Sequence, residues 1–149
     1  MECTEQISNI IRIEAYPFKA ITLSIPFTNR PFIQESAVKV SGTPVVLSLK
    51  QDDSAQAESI MSRASDGISY TNTLNWQTDD LLNETLEQIG MLSANPHHFL
   101  LYTYSGTRKL IYNWCSFGKV SPTSSMSGGN DTMSLSFSIK SRIPILTLL

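Results

Sequence analysis

The chain is poor in the residues that usually advertise chemistry. Its 149 residues include two cysteines and two histidines, and only 16% are charged, against about 25% in an ordinary globular domain. Cys3 and Cys115 are far apart and form no CxxC pair, so two reduced thiols are expected, not a redox or metal centre. The eleven basic residues are scattered, with Arg108-Lys109 the only adjacent pair. Phosphate recognition needs clustered Lys and Arg, and no nucleic-acid partner is expected. No apolar run approaches the roughly 20 residues that cross a bilayer as a helix, so no membrane partner is expected either. The start, Met1-Glu2-Cys3-Thr4-Glu5, is acidic, and Asn9 and Arg12 interrupt the apolar stretch behind it. That pattern does not fit a secretion signal. The expectation is a protein that is cytoplasmic at synthesis.

What is present favours strands. A hydrophobic fraction of 41% with mean hydropathy near zero suits a globular chain, and the length suits a single β-rich domain over 1–149. Ser and Thr supply roughly a fifth of the residues. Hydroxyl side chains sit well on a solvated sheet face, whereas long charged ones favour helices.

The strongest local pattern is Met133, Leu135, Phe137 and Ile139 alternating with Thr132, Ser134, Ser136, Ser138 and Lys140. Period two over nine residues predicts a half-buried strand. The same period runs through Ile68, Tyr70, Leu74 and Trp76, broken once by Asn72 and preceded by the turn pair Asp66-Gly67. Phe99–Tyr104 and Arg108–Tyr112 flank Ser105-Gly106, which predicts an antiparallel hairpin with a two-residue turn. Further strands are expected at 23–25 and 45–49, and a weaker one at Ile10–Ala15. Pro144 places Ile143-Pro144-Ile145-Leu146 on an edge strand or beyond the sheet.

One helix is expected over 78–93. Thr78 is its N-cap, Asp79 and Asp80 lie in its first turn, and Leu82, Leu86, Ile89 and Leu92 form its apolar stripe. Asn95-Pro96 stops it. Residues 54–64 read as a short second helix, with Ala57, Ile60, Met61 and Ala64 on one side, or as a mobile loop. Long loops are expected at 51–66 and 121–131. The fold class is therefore mainly β (α+β), an antiparallel sandwich or barrel with one flanking amphipathic helix.

Each candidate for chemistry has a structural explanation beside it. His97 and His98 are neighbours, so on a strand they point to opposite faces and do not share a metal; surface positions at a strand entrance are expected. Asp52-Asp53 reads as a turn and Asp79-Asp80 as a helix start, where paired-carboxylate chemistry needs acids facing each other across a cleft. Ser127-Gly128-Gly129 lacks the Lys and the helix of a phosphate-cradling loop and reads as a hairpin tip. No GxSxG elbow occurs among the serines. Trp76, Trp114, Tyr70, Tyr102, Tyr104 and Tyr112 all fall on expected strands. There they fill a core, or they offer a platform for a sugar. No catalytic residue and no cofactor are expected.

The helix at 78–93, the hairpin at 99–114 and the Gly-rich loop feeding the strand at 132–140 resemble the layout of phage tail-tube and related tail proteins. The resemblance covers about half the chain and carries no diagnostic motif. It implies a small β-sandwich or barrel whose loops link subunits into rings: a non-enzymatic, self-associating virion component. Its partners would be copies of itself or other virion proteins. The apolar end of the chain supplies the candidate self-association residues Ile143, Ile145, Leu146, Leu148 and Leu149, because such a segment must dock on its own core or on another subunit. The alternative is a small monomeric β-rich module binding a ligand or carbohydrate through its aromatics.

Overall fold

Alternation of apolar and hydroxyl side chains builds most of the molecule. The computed structural model describes residues 3–7, 9–24, 32–47, 49, 55–79, 82–113, 120–127 and 130–149. In chain order these form β1 (Cys3–Ile7), β2 (Ile10–Pro17), β3 (Ile21–Leu23) and β4 (Phe32–Ile33). A 3-10 turn at Glu35–Ala37 leads to β5 (Val38–Val40), β6 (Val45–Val46), β7 (Gln56–Ala64) and β8 (Gly67–Thr78). After α1 (Asn83–Ala94) come β9 (His97–Thr103), β10 (Arg108–Ile111), β11 (Val120–Ser127), β12 (Asn130–Ser141) and β13 (Leu146–Leu148). The fold is mainly β with antiparallel sheets, and α1 is the only α-helix among the described residues.

The strands form three layers. A first sheet, wholly antiparallel, has the order β1-β7-β8-β12-β11. A second sheet has the order β4-β13-β10-β9-β2-β6, and β3 pairs with β5 in a separate ribbon. Between the two large sheets lies a core of Leu74, Trp76, Leu135 and Phe137 from the first and Ile13, Phe99, Leu101 and Ile111 from the second. Phe99 joins the sheets, with ring centroids 6.0 Å from Trp76 and 4.9 Å from Phe137. Such tilted aromatic pairs add about 0.5–1.5 kcal/mol beyond area burial. On the other face of the second sheet, Tyr16, Ile33, Leu100, Leu110 and Leu146 are covered by Ile21 and Leu23 of β3 and by Ile143. The second sheet is thus buried on both faces.

Asn72, which breaks the period of β8, has a structural job. It is fully buried, its Oδ1 accepts from Ser59 Oγ at 2.7 Å, and its Nδ2 donates to the carbonyl of Ile143 at 2.9 Å. Ser141 Oγ accepts from the backbone N–H of Ile143 at 3.1 Å. These bonds fix the point where the chain leaves the first sheet for the second.

Several expectations need correction. Residues 56–64 form neither helix nor loop: β7 takes ladder partners from β1 on one side and β8 on the other. Its helix-like spacing loses to a tight hairpin at Ser65-Asp66, where Gly67 takes φ +124°. Residues 121–131 are not a loop, since β11 and the start of β12 pair there out to Ser127 and Asn130; Gly128 and Gly129 lie outside the described residues. Pro122 is tolerated because β11 borders the sheet. The hairpin β9–β10 turns through three residues, Tyr104-Ser105-Gly106, with Gly106 at φ +87° and its N–H on the Thr103 carbonyl.

The helix starts later than expected. Its N-cap is Leu82, while Thr78 ends β8 as a buried residue. Asp79 is exposed ahead of the helix, Asp80 lies outside the described residues, and Glu84 supplies the first-turn acid. Ile89 and Leu92 enter the core as the stripe predicts, whereas Leu82 and Leu86 stay exposed. Asn95 closes the helix, its N–H on the Met91 carbonyl at 3.1 Å.

Candidate functional site

Glu14, Tyr16 and His98, three of the ionisable side chains that the fold buries, collect on the outer face of the second sheet. A bulge in β2 puts them there. Ile10 and Ile13 both enter the inner core although they are an odd number of residues apart, and the register against β9 shifts between Ile10 and Arg12. A bulge inserts one residue and re-aims the side chains beyond it. Arg12, Glu14 and Tyr16 then share the outer face, opposite Tyr102, Leu100 and His98 of β9.

Glu14 is the centre of one group. Its Oε2 accepts from Arg12 Nη2 at 2.7 Å and Nε at 3.2 Å, and its Oε1 from the hydroxyls of Tyr102 at 2.8 Å and Tyr16 at 3.3 Å. Arg12 also lies over the Tyr102 ring, 5.7 Å from its centroid. Burial, reinforced by the Glu14 charge, pushes the Tyr16 phenol up to about 12. Burial and the bond to Glu14 raise Tyr102 as well. Across the sheet, Arg108 pairs with Glu35 and is raised chiefly by that bond. Every member of this group is a charged or hydrogen-bonded structural partner of another.

His98 centres a second group. It stacks between Phe18 and Tyr112, with centroids at 5.5 and 4.5 Å and planes within 16° and 14°. Its Nε2 lies 2.7 Å from the Phe18 carbonyl, and its Nδ1 accepts from the Asn113 backbone N–H at 2.9 Å. That pairing assigns the Nε2–H tautomer. Burial, with His97 adding to it, lowers the imidazole to about 4.

The residues singled out in the sequence do not converge. Both histidines are buried, not at the surface, because β9 begins at His97 inside the second sheet. His97 Nδ1 sits 3.0 Å from the Asn95 carbonyl. Trp76 and Tyr70 are buried, Tyr102 and Tyr112 are half-buried, and Tyr104 is exposed at the hairpin loop. Trp114, Cys115, Asp52 and Asp53 lie outside the described residues. Among the described residues, no three His, Cys, Asp or Glu gather in a group able to hold a metal ion. No helix of the described residues is long and apolar enough to cross a membrane.

Of the two docking places expected for the C-terminal segment, its own core and another subunit, the first holds for three of the candidates. Ile143, Ile145 and Leu146 are buried in the chain's own two cores. Ile143, Pro144 and Ile145 lie beyond the strands, as the second alternative for this segment has it. β13, which begins at Leu146, is no edge strand: it pairs with β10 on one side and with β4 on the other. The apolar segment therefore closes its own sheet instead of waiting for a partner. Leu148 is half-buried, and Leu149 is 60% exposed.

Sequence reasoning missed Glu14, Tyr16 and the role of His98. The only available signal was Ile-Ile-Arg-Ile-Glu-Ala at 10–15, a strand candidate whose broken alternation marks the bulge. Comparison of the chain with known protein families, curated proteins and solved structures returns no significant match. The site must be read from its own chemistry. Catalytic acids and bases work best with a pKa near the working pH. Here the fold moves His98 down and Tyr16 up, both away from neutrality.

Proposed function

We propose that the chain is a non-enzymatic structural protein that self-associates, and that its assembly is a phage or prophage tail. The observation that carries self-association is the margin of the second sheet at β4. Thr147 faces Phe32 in the parallel β13–β4 pair, and Leu149 continues the pairing with its N–H on the Ile33 carbonyl at 2.8 Å. Alternation puts Phe32 and Leu149 on the same side of this margin, where Phe32 is 58% exposed. Two large apolar side chains beside a strand edge that has no partner among the described residues are a natural contact for another subunit. The tail assignment rests on the layout resemblance and on an ionisable network built for holding shape. A tail subunit would be made in the cytoplasm and end in the virion.

A ligand-binding module working through exposed aromatics is less well supported, because most of the strand aromatics are buried or half-buried. Light scattering after size-exclusion chromatography, run over a range of concentrations, tests the proposal. Mass should grow with concentration in the wild type, and Phe32→Ser with Leu149→Ser should shift it toward monomer without lowering the melting temperature. A strict monomer at every concentration sinks the reading. Deleting 143–149 is a poor test, since it removes core side chains and unfolds the second sheet.

A further inference from the structure

We propose that the acidic face of α1 docks on the basic end of the first sheet of a second copy of the chain. This docking rests on the self-association reading and gives it a second surface, distinct from the β4 margin. The signal begins in the sequence. No Lys or Arg occurs between Arg63 and Arg108, a stretch that holds Asp66, Asp79, Asp80, Glu84 and Glu87. Residues 108–149 reverse the balance, with five bases and a single acid, Asp131.

The fold turns this segregation into two ends. β8 finishes at Thr78 and β9 starts at His97, and Trp76 meets Phe99 across the core, so the strand ends that α1 joins lie together. Ile89 and Leu92 hold the helix to the core. Asp79, Glu84 and Glu87 are exposed, beside exposed Leu82, Leu86 and Met91. One base shares this end: Lys19, in the turn after β2, where Phe18 stacks on His98 on the outer face of the second sheet.

At the opposite end of the first sheet, the ladders set Ser141 against Tyr70 and Tyr70 against Met61. Arg63 follows Met61 by two residues, and Lys140 and Arg142 flank Ser141, so strand spacings put the three bases within about 15 Å of one another. All three are exposed, and none has an ion-pair partner among the described residues. Asp66 at the hairpin tip offsets one of these charges, and half-buried Ile60, Met61 and Ile68 add apolar surface. β8 spans 12 residues, about 40 Å, so the two ends of one molecule do not meet. That distance exceeds the Debye length of about 8 Å at physiological salt several times over. Acid with apolar surface at one end and base with apolar surface at the other fit a second copy, head to tail. The contact is heterologous, joining different patches of the two copies, and its charges set encounter rate and register more than raw affinity.

The test is carbodiimide coupling of the full chain, mixed from isotope-labelled and unlabelled protein and read by peptide mapping. Glu84 or Glu87 of one copy should link to Lys140 of another. Light scattering gives the second readout. Raising salt from 0.1 to 1 M should weaken association about tenfold, whereas the apolar contact of Phe32 and Leu149 alone would not weaken. Glu84→Lys with Glu87→Lys should lower the mass, and so should Arg63→Glu with Arg142→Glu. An equimolar mixture of the two variants should regain it, because every docked pair then joins opposite charges. An associated wild type with no such link, whose mass ignores both salt and the charge reversals, overturns the docking and leaves self-association standing. A monomer at every concentration overturns both. Should a variant fail to fold, the coupling and salt response of the wild type decide.

Discussion

The two faces of the second sheet are built from the same strands and do different work. The inner face is apolar at its centre, with His97 only at its margin: Ile13, Phe99, Leu101 and Ile111 meet Leu74, Trp76 and Phe137 of the first sheet. The outer face mixes apolar cover with Glu14, Tyr16, Tyr102 and His98. An apolar centre gives a stability that pH barely touches. Burial with ionisable groups ties stability to pH at both ends. His98 has a folded pKa near 4, below its ordinary 6.5. Its contribution is therefore complete above pH 6.5 and is lost as pH falls toward 4. Tyr16 has a folded pKa near 12, above its ordinary 10, so its contribution is complete below pH 10 and is lost as pH rises toward 12.

The inner face should give the largest single effect. Phe99 is fully buried and touches two aromatic rings of the opposite sheet. Phe99→Ala should cost about 3–5 kcal/mol in urea unfolding, with the same loss at pH 5, 7 and 9. A loss that varied strongly with pH would break the division between the faces. Asn72 is the exception within this layer. Asn72→Leu strands the Ile143 carbonyl and the Ser59 hydroxyl in the core, for about 1–3 kcal/mol. The expected mark is faster amide exchange at 143–148, where the chain enters β13.

On the outer face, Glu14→Ala removes the acceptor of two tyrosine hydroxyls and should cost about 1–3 kcal/mol. Arg12 is half exposed and can turn to water, so its loss of a partner adds little. Tyr16→Phe is the sharper tool. Wild-type stability should fall more steeply between pH 10 and pH 12 than that of the variant, as followed by chemical denaturation at fixed ionic strength. Identical slopes would show that the buried phenol is not what couples the fold to alkali.

Most of the first sheet was legible in the sequence because one of its faces is wet. Period two survives in β8 and β12, where Leu74, Trp76, Leu135 and Phe137 alternate with Thr73, Asn75, Ser136 and Ser138. The second sheet is covered on both faces, so alternation vanishes: β9 reads His-His-Phe-Leu-Leu-Tyr-Thr with six of seven side chains buried. The histidines were misplaced for this reason, since a polar residue at a strand entrance looks like surface until a third layer covers it. Glu14 was hidden by the bulge. The C-terminal segment was recognised as needing apolar cover, but the sequence does not say whose. The Asn72 and Ser141 bonds to Ile143, which direct it onto its own sheet, join residues 71 apart and only 2 apart in sequence.

The smallest effect concerns the helix start. Thr78 looked like the cap, but β8 runs on to Thr78 to complete its ladder with β12, opposite Met133, and the helix begins five residues later. Strand pairing, with a long-range partner, overrides a local capping preference. The residue left at the N-cap is Leu82, extended at φ −68° and ψ 156° and 70% exposed, with no side-chain cap bond. An Asp in that backbone conformation can accept from an N–H group of the first turn, and its charge suits the positive end of the helix. Leu82→Asp should therefore raise stability by about 0.5–1 kcal/mol, and the gain should shrink at pH 3 as the new carboxylate protonates. Calorimetry at pH 7 and pH 3 reads both. A loss of stability at pH 7 would mean that Leu82 packs against something the helix needs, and that the helix begins elsewhere than Asn83.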